Sequence, residues 1–218
     1  MLAGAKKLAM PVLMALAFAM MTLEFATNQF GLVPQAWFNG WQRDSEEFVV
    51  RRMALSESSG IFAKSGLLLK PDGSTYDSQV ALQGISFSIA GHTLNKLGMS
   101  GVLIFRTLYL FNCIMLSLVF FAIFYWAWKE FGLIAAAAAY LTTLYSGWIV
   151  VSARNLYWVT WTFFLPFALV LLLLHFEERC KLKRRNLLWG LLVFAAMFLR
   201  AACGYEFIST AMIAAEVP

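Results

Sequence analysis

The chain has 218 residues, of which 61% are hydrophobic and only 13% charged, with a formal net charge of +5 and a mean hydropathy of +0.71. Soluble domains carry roughly 45–50% apolar and about 25% charged residues, so the composition excludes an ordinary water-soluble globular protein and assigns the apolar excess to lipid. The basic surplus does not point to nucleic acid either. Its densest stretch, Glu177–Arg185, lies between long apolar segments, and membrane topology accounts for it.

The first apolar segment runs from Leu8 to Phe25 behind Lys6 and Lys7. A basic start and an apolar centre also describe a secretory signal peptide, but the apolar segments downstream favour a retained signal-anchor helix. Residues 27–98 are different. They contain Arg43, Asp44, Glu46, Glu47, Arg51, Arg52 and Glu57, and no window in them is apolar enough to span a bilayer. They read as a first extracytoplasmic loop with short amphipathic helices. Asp44–Ser58 predicts one helix, with Phe48, Val49, Arg52, Met53 and Leu55 on one face. Pro71-Asp72-Gly73-Ser74 is a turn signal, and Ser78–Ile89 predicts a second helix along the membrane surface.

Residues 99–218 read as helical hairpins. Val102–Trp128 and Phe131–Val151 are separated only by Lys129-Glu130, so they form a tight antiparallel pair, and the Ala135–Ala139 run allows close helix approach. Tyr157–Phe176 and Asn186–Ala202 follow, and another apolar stretch opens at Phe207. The expectation is an all-α polytopic transmembrane bundle of about five to six spans. It forms a single membrane domain over residues 1–218, and that domain is expected to continue beyond Pro218. The three cysteines, Cys113, Cys180 and Cys203, lack metal-ligand spacing and read as small packing residues.

Short basic segments set orientation. With Lys6 and Lys7 in the cytoplasm, Lys129 and the 177–185 run return to the same side. The loop 27–98, the turn 152–155 and Gly204-Tyr205-Glu206 then all face outward. Four polar clusters thereby share one face: Trp41–Glu47, Tyr76-Asp77-Ser78-Gln79, Ala153-Arg154-Asn155-Leu156-Tyr157-Trp158 and Gly204-Tyr205-Glu206-Phe207.

Each cluster has a purely structural reading. Asp44 and Glu47 match a capping box, Glu47 and Arg51 are spaced to pair on a helix surface, and Tyr76-Asp77-Ser78 can cap a second helix. Trp158 and Trp161 suit an aromatic belt. Arg106 and His175 lie near span ends, where snorkelling or interfacial exposure accounts for them. Taken together, the same residues describe chemistry. An acidic pair beside a membrane can hold a divalent metal or deprotonate a hydroxyl. Arg154 and Asn155 can bind phosphate oxygens. Tyr76, Asp77, Gln79, Tyr157, Tyr205 and Glu206 complete a candidate substrate-binding set.

One hydrophobic helix leading into a long external loop with an early Asp44-Ser45-Glu46 string, followed by closely spaced hairpins, resembles the polytopic glycosyltransferases of the GT-C superfamily. The resemblance is topological over nearly the whole chain, and its motif is short. It implies Asp44 as the base that deprotonates the acceptor, with Glu46 or Glu47 assisting. It also implies that Asp44 and Glu46 hold a divalent metal such as Mg or Mn. The donor it implies is a polyprenyl-phosphate sugar, the acceptor a glycan or lipid, and the outcome inversion at the sugar carbon. The style of the sequence, which shows no eukaryotic sorting signal, suggests a bacterial cytoplasmic (inner) membrane as the location, with a role in the cell envelope. Two other classes stay open. A transporter or flippase of lipid-linked saccharides would place charged or broken segments in mid-span. A non-catalytic membrane assembly subunit would leave the external acids scattered.

Overall fold

The computed structural model describes residues 2–77, 79–177 and 185–204. It is all-helical apart from one minimal β-pair. The first helix, α1 (Leu2–Thr27), is followed by short α2 (Gln35–Gly40) and by α3 (Arg43–Ser59). A turn at Ala63–Gly66 leads into strands β1 (Leu68–Leu69) and β2 (Thr75–Tyr76), antiparallel with Leu68 opposite Tyr76. Then come α4 (Leu82–Lys96), α5 (Gly101–Phe131), α6 (Leu133–Leu144), α7 (Gly147–Ser152), α8 (Trp161–Glu177) and α9 (Arg185–Cys203).

Among the described residues, two helical stretches are long and apolar enough to cross a membrane, Met10–Thr27 and Gly101–Phe131. Leu133–Leu144, Trp161–Phe176 and Leu187–Cys203 are apolar but shorter. The segment expected as one span over 131–151 is interrupted. Tyr145 and Ser146 leave the helix, and α7 sets off in a new direction from Gly147. A Cβ on Gly147 would lie 3.0 Å from Val33 Cγ1, so glycine lets α7 press against the chain just after α1. Residues 153–160, expected partly as span, form a folded turn in which Val159 takes a left-handed φ of 45°.

The long helix α5 is the spine. Its first half places Ile104 and Leu108 in one buried cluster with Val49 and Met53 of α3, Leu68, Phe87 of α4 and Leu156. Its second half places Cys113, Leu116, Phe120 and Phe124 in another, with Met21 and Phe25 of α1, Leu144 and Val150. The C-terminal half of α1 is therefore part of the core. Cys113 and Cys203 are free and buried, in keeping with a packing role. Cys180 lies outside the described residues. Arg106 is exposed, whereas His175 is buried and its Nδ1 lies 2.8 Å from Glu130 Oε1. The expectation of an interfacial His175 fails because its ring is enclosed by Tyr125 and Phe176.

The loop expected over residues 27–98 is a small packed unit rather than a tether. α3 buries Val49, Arg52, Met53 and Ser56, a stripe at helical spacing. The second helix lies later than expected, at 82–96 instead of 78–89, because Ala81 turns left-handed before it. It meets α3 through small residues: Ser56 Oγ donates to Ser88 Oγ at 2.9 Å, and Gly91 faces Met53. Arg52 is fully buried, and its guanidinium donates to the carbonyls of Ala63 (2.6 Å), Ile61 and Gly60. Burial pushes its pKa down from the usual arginine value. A Cβ on Gly84 would approach Leu68 Cδ2 to 2.6 Å and Arg52 Cγ to 3.2 Å. Gly84→Val therefore overpacks this contact. Thermal unfolding in detergent is expected to show a loss of about 1–3 kcal/mol; an unchanged midpoint would mean that α3 and α4 do not pack this closely.

Candidate functional site

The site is organised by residues 153–160. Asn155 Oδ1 accepts from the N–H groups of Tyr157 (2.9 Å) and Trp158 (3.0 Å), which folds the backbone into a tight turn. Asn112, in α5, donates to the carbonyls of Arg154 (3.4 Å) and Asn155 (3.2 Å) and accepts from Trp161 Nε1 at 3.2 Å. The segment after α1 then closes on this turn. Asn155 Nδ2 donates to Trp41 O at 3.3 Å. Arg154 Nη2 donates to Phe38 O (2.9 Å) and Asn39 Oδ1 (3.0 Å), with its guanidinium 4.1 Å from the centre of the Phe38 ring.

Glu46 completes the junction. Its Oε1 accepts from Leu156 N at 2.9 Å and its Oε2 from the Tyr109 hydroxyl at 3.1 Å. Burial pushes its carboxyl above the usual glutamate value of 4.5, against the opposing effects of those two donors and of the nearby Arg154 and Arg43 charges. A cavity of about 400 Å³ opens here, lined by Arg43, Glu46, Glu47, Val50, Phe105 and Tyr109. A second cavity, of about 260 Å³, also borders Val50 and Phe105 and reaches Glu57 and Asn95. The cleft along α3 is thus polar at both ends and apolar between them.

Asp44 does not line this cleft. The helix starts one residue earlier than expected, at Arg43, with Gln42 as a left-handed N-cap that makes no side-chain capping bond. Asp44 consequently falls in the first turn, exposed, and the anticipated capping box is absent. Residues two apart on a helix point about 200° apart. With Glu46 turned into the junction, the carboxylate of Asp44 faces away from it. The two do not converge on one ion, and among the described residues no group of three or more His, Cys, Asp or Glu side chains is arranged to hold a metal. Glu47 lines the cavity and pairs with Arg51, Oε1 to Nη2 at 2.5 Å, as their spacing allows.

The remaining candidates divide. Tyr76 and Tyr157 both pack on Phe48 of α3, at ring-centre distances of 5.1 and 6.2 Å. Gln79 is buried with neither amide atom hydrogen-bonded, and Asp77 is exposed, making no cap for α4. Tyr205, Glu206 and Ser78 lie outside the described residues. Sequence reasoning did not single out Arg43, Tyr109 or Asn112. Tyr109 and Asn112 lie in an apolar helix, where polar groups are the available signal. Glu24 is another such group, buried at the end of α1 and accepting from Phe30 N at 2.9 Å. Comparison with protein-family models, curated proteins and solved structures gives no match.

A carboxyl whose folded-state pKa lies above its unfolded value binds its proton more tightly when folded. The stability it contributes is full below about 4.5 and is lost as pH rises through the folded value. Glu46→Gln carries no charge at any pH. Its unfolding midpoint is expected to gain on that of the wild type as pH rises above about 4.5. A constant difference between the two as pH rises would show that Glu46 is not desolvated.

Proposed function

We propose that this chain is a membrane glycosyltransferase of the GT-C type, moving a sugar from a polyprenyl-phosphate donor to a hydroxyl acceptor at the extracytoplasmic face of a bacterial inner membrane. The observation that carries the reading is the Glu46–Leu156 hydrogen bond. It joins the early acidic segment to the turn that carries Arg154 and Asn155, beside a cleft that also exposes a cation, Arg43. α1 and α5 meet the length for a span. We extend this to about five spans because α8 and α9, at about 25 and 28 Å, fall just short of a ~30 Å hydrocarbon core. Support comes from large apolar side chains exposed on α1, α5, α6 and α9, among them Leu16, Val102, Ile134 and Phe194. The N-terminus is then cytoplasmic.

In this reading Glu46, rather than Asp44, is the base. Its carboxylate borders the cleft, and its raised pKa makes it a better proton acceptor near neutrality. It takes the acceptor's hydroxyl proton as that oxygen attacks the anomeric carbon. The bond from that carbon to the phosphate oxygen breaks, and polyprenyl phosphate leaves with the bonding electrons, inverting the sugar carbon. Arg43 faces the departing phosphate, and Val50 and Phe105 accept the first isoprene units. Glu24 and Asn112, both buried within candidate spans, are the features that would favour a transporter. Asn112 is engaged by the 154–155 turn, which gives it a structural role, and Glu24 Oε2 accepts from Phe30 N, while Glu24 Oε1 is buried without a partner among the described residues.

The test uses the chain in membrane vesicles with a labelled polyprenyl-phosphate sugar. Glu46→Gln keeps an acceptor for Leu156 N–H, so the fold is retained, and transfer is expected to drop by about 10²-fold or more. Asp44→Asn is expected to change it by less than about threefold. Unchanged transfer in Glu46→Gln would remove that residue as base, and a loss confined to Asp44→Asn would restore the assignment suggested by the sequence. Reporter fusions after residues 60 and 154 are expected to report the same, external side; opposite sides would be incompatible with the Glu46–Leu156 contact.

A further inference from the structure

A third cavity lies at the other end of the bundle. It is an open groove of about 360 Å³ between α1, α5 and α6, walled by Met14, Ala17 and Met20, by Phe124 and Trp128, and by Ala137. Its lining is apolar throughout, and several of its side chains are broadly exposed, Leu13 and Leu16 among them. It follows α1 from Met10 to Met20, about 15 Å at the helical rise. Trp128 lies 19 residues beyond Tyr109 on α5, about 28 Å away, so the groove and the Glu46 cleft belong to opposite ends of the molecule.

One charged group marks its rim. Lys129 Nζ lies 4.0 Å from the centre of the Trp128 ring and 5.4 Å from that of Tyr125, and both rings line the groove. The adjacent Glu130 is engaged by His175, and among the described residues no carboxylate lies within ion-pair distance of Lys129. The ammonium is thus held over the aromatic faces of Trp128 and Tyr125, which wall the apolar slot. An extended hydrocarbon chain can lie along such an apolar slot, and the Lys129 ammonium over the rings of its wall matches an anionic headgroup at the end of that chain.

We propose that this groove binds one acyl chain of an anionic phospholipid of the cytoplasmic leaflet, with Lys129 on its phosphate. The inference rests on the membrane-spanning reading of α1 and α5 but not on the sugar-transfer chemistry. The full chain is reconstituted in vesicles of phosphatidylcholine alone or of phosphatidylcholine with phosphatidylglycerol, and retained lipid is measured by native mass spectrometry. Wild type is expected to retain phosphatidylglycerol about fivefold over phosphatidylcholine, the effect of one basic group at an anionic surface. Lys129→Gln is expected to lose the preference yet keep lipid, and Ala137→Phe, at an exposed position in the slot, to lose both lipids. Equal retention of the two lipids by wild type, an intact preference in Lys129→Gln, or a dimer that Ala137→Phe dissociates would each overturn the proposal. Failure of wild type to float with either vesicle would instead overturn the membrane reading, which separates the two.

Discussion

The constraint on which the structure depends is the need to satisfy an irregular backbone buried among apolar helices. Residues 153–160 are not helical, so most of their amide and carbonyl groups lack the partners a helix supplies internally. They are satisfied instead by side chains from four surrounding helices: Glu46 of α3 on Leu156 N, Gln83 of α4 on Tyr157 O, Asn112 of α5 on Arg154 O and Asn155 O, and Arg200 of α9 on Trp158 O. Thr160 and Thr162 close Ser152 O and Val159 O from within. Leaving one such group unpaired costs about 1–3 kcal/mol. The turn therefore fixes the positions of those helices relative to one another, and it holds Val159 in a conformation that a β-branched residue rarely adopts.

This arrangement explains why the segment between α1 and α5 is folded rather than loose. Residues 27–98 could not dock on a continuous α7–α8 helix, because such a helix would offer no unpaired backbone N–H to Glu46. The turn after α7 exposes Leu156 N–H, for which Glu46 of α3 is the acceptor, and the Arg154 side chain of the same turn donates to Phe38 O and Asn39 Oδ1 of α2. Gly147 and the small residues Gly84, Ser88 and Gly91 permit the close approaches on either side. Polar satisfaction and close packing thus act at the same junction, and the cleft beside Glu46 is the space they leave.

Much of this frame was legible in the sequence, for reasons that differ by element. α5 is apolar on all sides over 31 residues and could hardly be anything else. α3 shows helical spacing of Val49, Arg52 and Met53, and the Pro71–Ser74 turn carries its own chemistry. The grouping of the acidic segment with Arg154-Asn155 followed from sidedness alone. The break at Tyr145-Ser146 was not legible, because hydropathy stays high across it and the reason for it is the tertiary contact of Gly147 with Val33. The choice between Asp44 and Glu46 was not legible either. It turns on a one-residue shift of the helix start, which is within the ordinary uncertainty of helix boundaries read from sequence.

The identity of residue 46 carries information beyond its contacts. A glutamine at this position could accept from Leu156 N–H with its oxygen and donate to the Tyr109 oxygen with its amide, reproducing both bonds without placing an ionisable group in a desolvated site. A glutamate makes the same two contacts but adds the cost of burying a charge, which its raised pKa records. Anchoring alone thus gives no physical reason to prefer the acid. What the acid adds is a proton acceptor at the edge of an open cleft, flanked by Arg43 and Tyr109 and held still by the backbone it anchors. A group fixed in place by the fold, and more expensive than the fold requires, is what a site with work to do is expected to contain.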